Sequence, residues 1–274
     1  VFAGRSWQPT NIERVTGVLE TSTKPLRVMT DVGPAIVKYM GNQAGLEALI
    51  CEIIGTELAN DIGLVTPDFA LADIPALELP THPLLRIEPG PAFFSRWEEA
   101  TSLSPRSTLL GNLRHPDDIA KLVTFDTWLR NKDRFADAAD DGYGYENFDN
   151  LLLRPDKRKV QLLVIDHTHA IAETTLDDEL GQDWIDEQKV YGRFGQFAPF
   201  LTRRGVQVAL AAISSIDVER IECICQEVPR EWGMTHALAQ RLSVCIAERG
   251  IKLESWLPAD LFDQYEMNLE GREG

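Results

Sequence analysis

Along this chain the spacing of apolar and polar positions changes from strand-like to helical and back. Ile12-Glu13-Arg14-Val15-Thr16-Gly17-Val18-Leu19 has strand character, and the polar stretch Glu20-Thr21-Ser22-Thr23-Lys24-Pro25 reads as a turn. Leu26 to Thr30 is a second expected strand, Asp31-Val32-Gly33 a turn, and Ala35 to Met40 a third strand. The period then lengthens. Leu46, Leu49, Ile50, Ile53, Ile54 and Leu58 recur at helical spacing, and Gly63 follows as a C-terminal cap would. Glu52 lies beside this stripe, whereas Glu47 and Glu57 are expected to face solvent. Thr66 to Ala72 reads as a return strand, residues 73–91 as a proline-broken loop or edge strand, and Phe93-Phe94-Ser95-Arg96 as a further strand.

Residues 96–116, dense in Ser, Thr, Pro and Gly, mark a hinge. Pro116-Asp117-Asp118 opens a helix, with proline in the first turn and acids against the positive end of the dipole. Its apolar face, Ile119, Leu122, Val123, Trp128 and Leu129, delivers Asn131-Lys132-Asp133-Arg134 into a loop. Residues 135–149 are acidic and read as a solvated insertion, since they lack the ligand alternation of a calcium loop. Leu151–Leu153 and Val160–Ile165, split by Arg154-Pro155-Asp156-Lys157, form an expected hairpin. Helical spacing then dominates, with helices expected over 203–215, 217–227, 235–250 and 258–269.

Composition narrows the function classes. The 274 residues are 44% hydrophobic and 26% charged, which is ordinary for a globular protein with a substantial core. The net charge of −16 argues against a surface that coats nucleic acid, because neutralising phosphates needs clustered Lys and Arg. No apolar run reaches the roughly 18 residues of a membrane span. Cys51, Cys223, Cys225 and Cys245 form no pair of zinc knuckles and are expected to be reduced thiols in a soluble, cytoplasmic protein.

Three acid or amide positions carry the candidate chemistry. Asp166 ends the apolar run Leu162–Ile165, where a carboxylate is costly to desolvate unless it is paired or binds a cation. Asp133 follows a helix, and Asn150 opens the apolar run Leu151–Leu153 between the two aspartates. Asp, Asn and Asp supply oxygen ligands suited to magnesium, with one carboxylate left to orient a hydroxyl. Lys38 sits in the third strand, where alternation allows either a solvent-facing lysine or an inward, phosphate-binding one. Glu52 on the next helix is placed to pair with it, a combination found in phosphoryl-transfer lobes. His167 and His169 allow a transition-metal reading, weighed against histidines that simply pack.

The residues Val37-Lys38-Tyr39-Met40-Gly41-Asn42, Glu52, Ile62-Gly63-Leu64-Val65-Thr66-Pro67, Phe125 to Arg134, Asn150 to Leu153 and Leu163-Val164-Ile165-Asp166-His167 resemble the HipA-like kinase family, over about residues 12–171. The resemblance implies an α+β, two-lobed protein-kinase-like fold. Residues 1–100 would form a small antiparallel-sheet lobe that binds nucleotide phosphates, and 101–274 a mainly helical lobe with the catalytic loop and metal-binding hairpin. It further implies ATP and Mg2+ as cofactors. Lys38 would contact the phosphates, held by Glu52; Asp133 would accept the proton of a substrate hydroxyl; Asn150 and Asp166 would hold magnesium. Thr21, Ser22 and Thr23 would form the phosphate-covering loop. The acceptor would be a protein Ser/Thr or a small-molecule hydroxyl, with neither nucleic acid nor membrane as partner. Three features depart from the family pattern. Phe135 stands where a histidine is usual, Asn150 lies across the acidic stretch from Asp133 with Asn147 as a competitor, and no glycine-rich loop is present. Two other classes therefore stay open: a catalytically degraded nucleotide-binding or interaction module on the same fold, and a metal-dependent hydrolase built on Asp133, Asp166, His167 and His169.

Overall fold

A computed structural model describes residues 7–105, 107–136, 145–172 and 174–270. Five strands form one antiparallel sheet in the order β1-β2-β3-β5-β4: β1 (Ile12–Val18), β2 (Leu26–Thr30), β3 (Gly33–Lys38), β4 (Phe69–Ile74) and β5 (Gly90–Arg96). Period-two alternation gives this sheet its faces. Leu26, Val28, Ala35, Val37 and Phe94 point into one apolar cluster with Trp7, Tyr39 and Ile74. Ile36 and Lys38 consequently look out of the opposite face. That face carries Phe93 and Phe69, which belong to the main core of the molecule. The sheet order thus settles what alternation left open for Lys38.

Helix α1 (Gly45–Asp61) covers this second face and is buried without interruption from Leu49 to Ala59. A helix apolar nearly all round belongs in an interior, and α1 sits between the sheet and the helical part. Burial extends to Glu57, which is 1% exposed and 3.6 Å from Arg220, so the expected solvent-facing position is corrected. Gly63 ends the helix at φ 77, its N–H bonded to the Asn60 carbonyl, a conformation that glycine adopts without a Cβ clash.

After β5 the chain enters a three-stranded sheet, order β10-β9-β6, of β6 (Thr101–Ser102), β9 (Leu151–Asp156) and β10 (Lys159–Val164). Helix α2 (Asp118–Trp128) is buried at every position but Lys121. β7 (Phe135–Ala136) pairs with β8 (Tyr145–Glu146), so the ends of the acidic stretch form a strand pair; residues 137–144 and the side chain of Phe135 lie outside the described residues. Beyond it come α3 (Leu176–Glu179), α4 (Gln182–Asp186), α5 (Arg203–Ser214), α6 (Val218–Gln226) and α7 (His236–Glu270). One continuous α7 replaces the two helices expected over 235–250 and 258–269. Pro258 removes one intrahelical hydrogen bond, but Leu253, Leu257 and Leu261 on either side of it are buried at i, i+4, i+8 and keep the helix docked. Among the described residues no helix is long and apolar enough to cross a membrane.

Candidate active site

Lys38 is the hub of the site. It closes β3, and its ammonium lies 2.8 Å from Glu52 Oε2 of α1, 2.8 Å from Asp166 Oδ1 and 2.7 Å from Thr168 Oγ1. Residues more than a hundred positions apart are therefore joined by one nitrogen. Burial works to lower the Lys38 pKa, but the two carboxylates override it and keep the ammonium charged. Burial likewise works to raise Asp166, yet the adjacent ammonium holds its carboxyl well below the usual carboxylate range. Glu52, deeper than Asp166, is raised by burial, with Lys38 offsetting only part of that effect.

The backbone turn at Asp166 completes this arrangement. Asp166 has φ 61, a left-handed conformation that non-glycine residues take at a cost of about 1–3 kcal/mol when the surroundings enforce it. The turn sends the His167 N–H to Glu52 Oε2 at 2.8 Å and leaves Thr168 Oγ1 3.2 Å from the same oxygen. The His167 ring goes the other way. It is 1% exposed, stands edge-on to Phe125 and lies against Gly55, while both ring nitrogens lack a hydrogen-bond partner among the described residues. This packing removes His167 from the metal-hydrolase reading. A Cβ on Gly55 would fall 2.5 Å from His167 Cβ. Gly55→Ala is therefore expected to cost about 1–3 kcal/mol through overpacking, measured by urea unfolding, because neither backbone can retreat without moving Glu52 or Asp166.

Asp133 sits at the other end of the site. Its Oδ2 accepts from Asn150 Nδ2 at 2.9 Å and from Asn147 Nδ2 at 3.5 Å, so both candidate asparagines converge on one carboxylate. Asn150 precedes β9 and lines the same cleft as Asp166 and Lys38. This cleft has a volume of about 430 Å³. Its apolar wall includes Ile36, Phe93, Trp97, Leu152 and Ile165. The polar end holds Lys38, Glu52, Asn150 and Asp166. Of the three turn hydroxyls only Thr21 lines this cleft; Ser22 lines a separate small recess with Tyr39 and Asn42, and Thr23 is buried, its carbonyl accepting from Asn42 Nδ2.

The site has further members that the sequence pattern does not single out. Ile36 was signalled by its parity with Lys38, and Thr168 by its place two residues after Asp166. The buried Asp126–Arg134 pair lies within the stretch that carries the resemblance, but its spacing does not show that Arg134 turns inward onto Asp126 and the Asn150 carbonyl.

A model of the HipA-like kinase family matches residues 29–253. The chain belongs to the HipA-like kinases. Among solved structures, it is similar to the Helicobacter pylori proinflammatory kinase CtkA, at 13% identity and a TM-score of 0.59, over 93% of this chain and 97% of that one. At this identity the likeness speaks to the fold: an α+β architecture with a five-stranded antiparallel sheet and a helical C-terminal part, like that of a kinase. No curated protein matches the chain. Membership of this kinase family brings with it, in general, the use of ATP and a divalent metal.

Proposed function

We propose that this HipA-like kinase binds Mg·ATP in the 430 Å³ cleft and transfers the γ-phosphoryl group to a hydroxyl acceptor, of a protein Ser/Thr or a small molecule. The observation that carries the reading is the Lys38 ammonium held 2.8 Å from both Glu52 and Asp166 at one end of a cleft whose wall includes Ile36, Phe93, Trp97, Leu152 and Ile165. A buried cation fixed by two carboxylates is preorganised for a phosphate, and the apolar wall suits a nucleobase. In this reading residues 1–100 and 101–274 are the two lobes that flank the cleft. Thr21 and backbone N–H groups of its turn cover the phosphates, with Ser22 and Thr23 shaping that turn.

The donor set fits magnesium. Asn150 spends its side-chain amide N–H on Asp133, which leaves its side-chain oxygen Oδ1 for a cation, and the Asp166 side chain remains 25% exposed while its Oδ1 holds Lys38. Two hard oxygen ligands supplemented by substrate phosphates and water are typical for Mg2+. When bound, the metal supplies charge neutralisation on the phosphate oxygens. The chain's own residues do the rest. Lys38 binds and orients the phosphates. Asp133, held through Oδ2 by Asn150, accepts the hydroxyl proton as the new O–P bond forms and the bond between the β and γ phosphates breaks, releasing ADP.

Calorimetry with Mg·ATP tests the binding half of this account. The unmodified protein should bind, and Lys38→Met should weaken binding by about 10–100-fold, the worth of a charge-assisted hydrogen bond. Absence of binding to the unmodified protein would overturn the proposal. Binding without turnover would favour the degraded nucleotide-binding module instead.

A further inference from the structure

The ion pair beneath the site joins its separate pieces. Arg134 follows Asp133 directly and is fully buried, as is its partner Asp126 in the last turns of α2, with Nε 2.7 Å from Oδ2. The same guanidinium donates through one terminal nitrogen to the Asn150 carbonyl at 2.8 Å and to the Ile165 carbonyl at 3.4 Å. Asn131 braces the other carboxylate oxygen at 3.1 Å. The backbone of Gly192, at φ 69, closes over the pair so tightly that a Cβ there would lie 2.4 Å from Asp126 Oδ2. One side chain thus touches the loop that bears Asp133, the residue Asn150 itself and the residue before Asp166.

We propose that Arg134 is a positioning residue that sets the mutual placement of Asp133, Asn150 and Asp166. This inference rests on the phosphotransfer reading above. Its physical basis is the fork geometry of guanidinium. A planar group with several fixed donors holds three acceptors in one arrangement, whereas a lysine ammonium of equal charge is a point with a shorter reach. Charge neutralisation of Asp126 would survive in Arg134→Lys, and the bonds to the Asn150 and Ile165 carbonyls, just before β9 and just after β10, would not. Misplacement of reacting groups by about 1 Å is enough to cost on the order of 10²-fold in rate.

A matched control exists in the same molecule. Arg249 on α7 is also buried and donates to the carbonyls of Thr127, Trp128, Trp184 and Glu187, none of them at the cleft. The experiment compares Arg134→Lys and Arg249→Lys, each purified and assayed well below its unfolding midpoint. Two quantities are read: kcat and KM for ATP, and Mn2+ affinity by paramagnetic resonance in the presence of a non-hydrolysable ATP analogue. Arg134→Lys should lose about 100-fold in kcat with KM for ATP within threefold, and should bind Mn2+ at least tenfold more weakly. Arg249→Lys should change both by less than threefold. Equal losses in the two variants, or unchanged kcat and Mn2+ affinity in Arg134→Lys, would overturn the positioning role. If the unmodified protein binds Mn2+ and nucleotide but transfers no phosphate, the phosphotransfer reading falls, and the Mn2+ comparison still decides the role of Arg134. An unmodified protein that binds neither overturns both.

Discussion

Asp133→Asn is expected to lower phosphoryl transfer by about 10²–10⁴-fold, the usual worth of general-base catalysis, while leaving ATP affinity nearly unchanged. The separation follows from geometry. Asp133 bonds Asn150 and Asn147 rather than Lys38, so the phosphate-binding cation keeps both of its carboxylates when Asp133 is replaced. Asparagine preserves the shape and can accept from Asn150 through its carbonyl oxygen, but it has no basic oxygen to take a proton. The check is steady-state turnover beside calorimetric ATP binding for the same preparation. A variant that loses binding together with turnover would show that Asp133 acts on the nucleotide and not on the acceptor.

The second large effect falls on stability. Asp126→Ala should destabilise the protein by about 3–5 kcal/mol, because it leaves the Arg134 guanidinium buried without its counter-charge. Both side chains are 0% exposed, so water cannot replace the lost carboxylate. Burial pushes the Asp126 carboxyl up to about 6 even with Arg134 beside it, which indicates how heavily this pair is desolvated. Replacing both members, as in Asp126→Leu with Arg134→Met, should recover only part of the loss. The apolar pair removes the buried charges but also removes the Arg134 donor from the Asn150 and Ile165 carbonyls. Urea unfolding of Asp126→Leu, of Arg134→Met and of the double variant measures the coupling directly. Additive losses would mean that the two residues act independently.

Local chemistry made much of the fold legible. Alternation in β2 and β3, the apolar run of α1, the glycine cap at Gly63 and the hairpin of β9 and β10 each follow from spacing within a few residues. Asp133, Asn150 and Asp166 are legible because polar residues at the ends of apolar elements need a reason to be there, whereas Lys38 and Glu52 are legible as a strand lysine followed by a helix glutamate placed to pair with it. What spacing does not encode is the face a neighbour covers. Glu57 has the sequence environment of an exposed helix glutamate, and becomes buried because Arg220, far along the chain, arrives beside it. Pro258 is a good local reason to end a helix, overruled by leucines that pack on both sides of it. Ser22 and Thr23 are equivalent to Thr21 as turn hydroxyls in the sequence; their different surroundings come from Asn42 and Tyr39, which follow β3 and are supplied by another part of the chain. Arg134 and Thr168 gain their meaning only from contacts with residues supplied by separate elements.

The most direct test of the central claim is incubation of the protein with Mg2+ and γ-labelled ATP, beside Asp133→Asn and Asp166→Asn. The account predicts label on the protein or an added hydroxyl acceptor, or phosphate released to water, with the signal lost in both variants. Label transfer that persists undiminished in Asp133→Asn and Asp166→Asn would contradict it, since the phosphoryl group would then be moving without the two carboxylates that the site is built around.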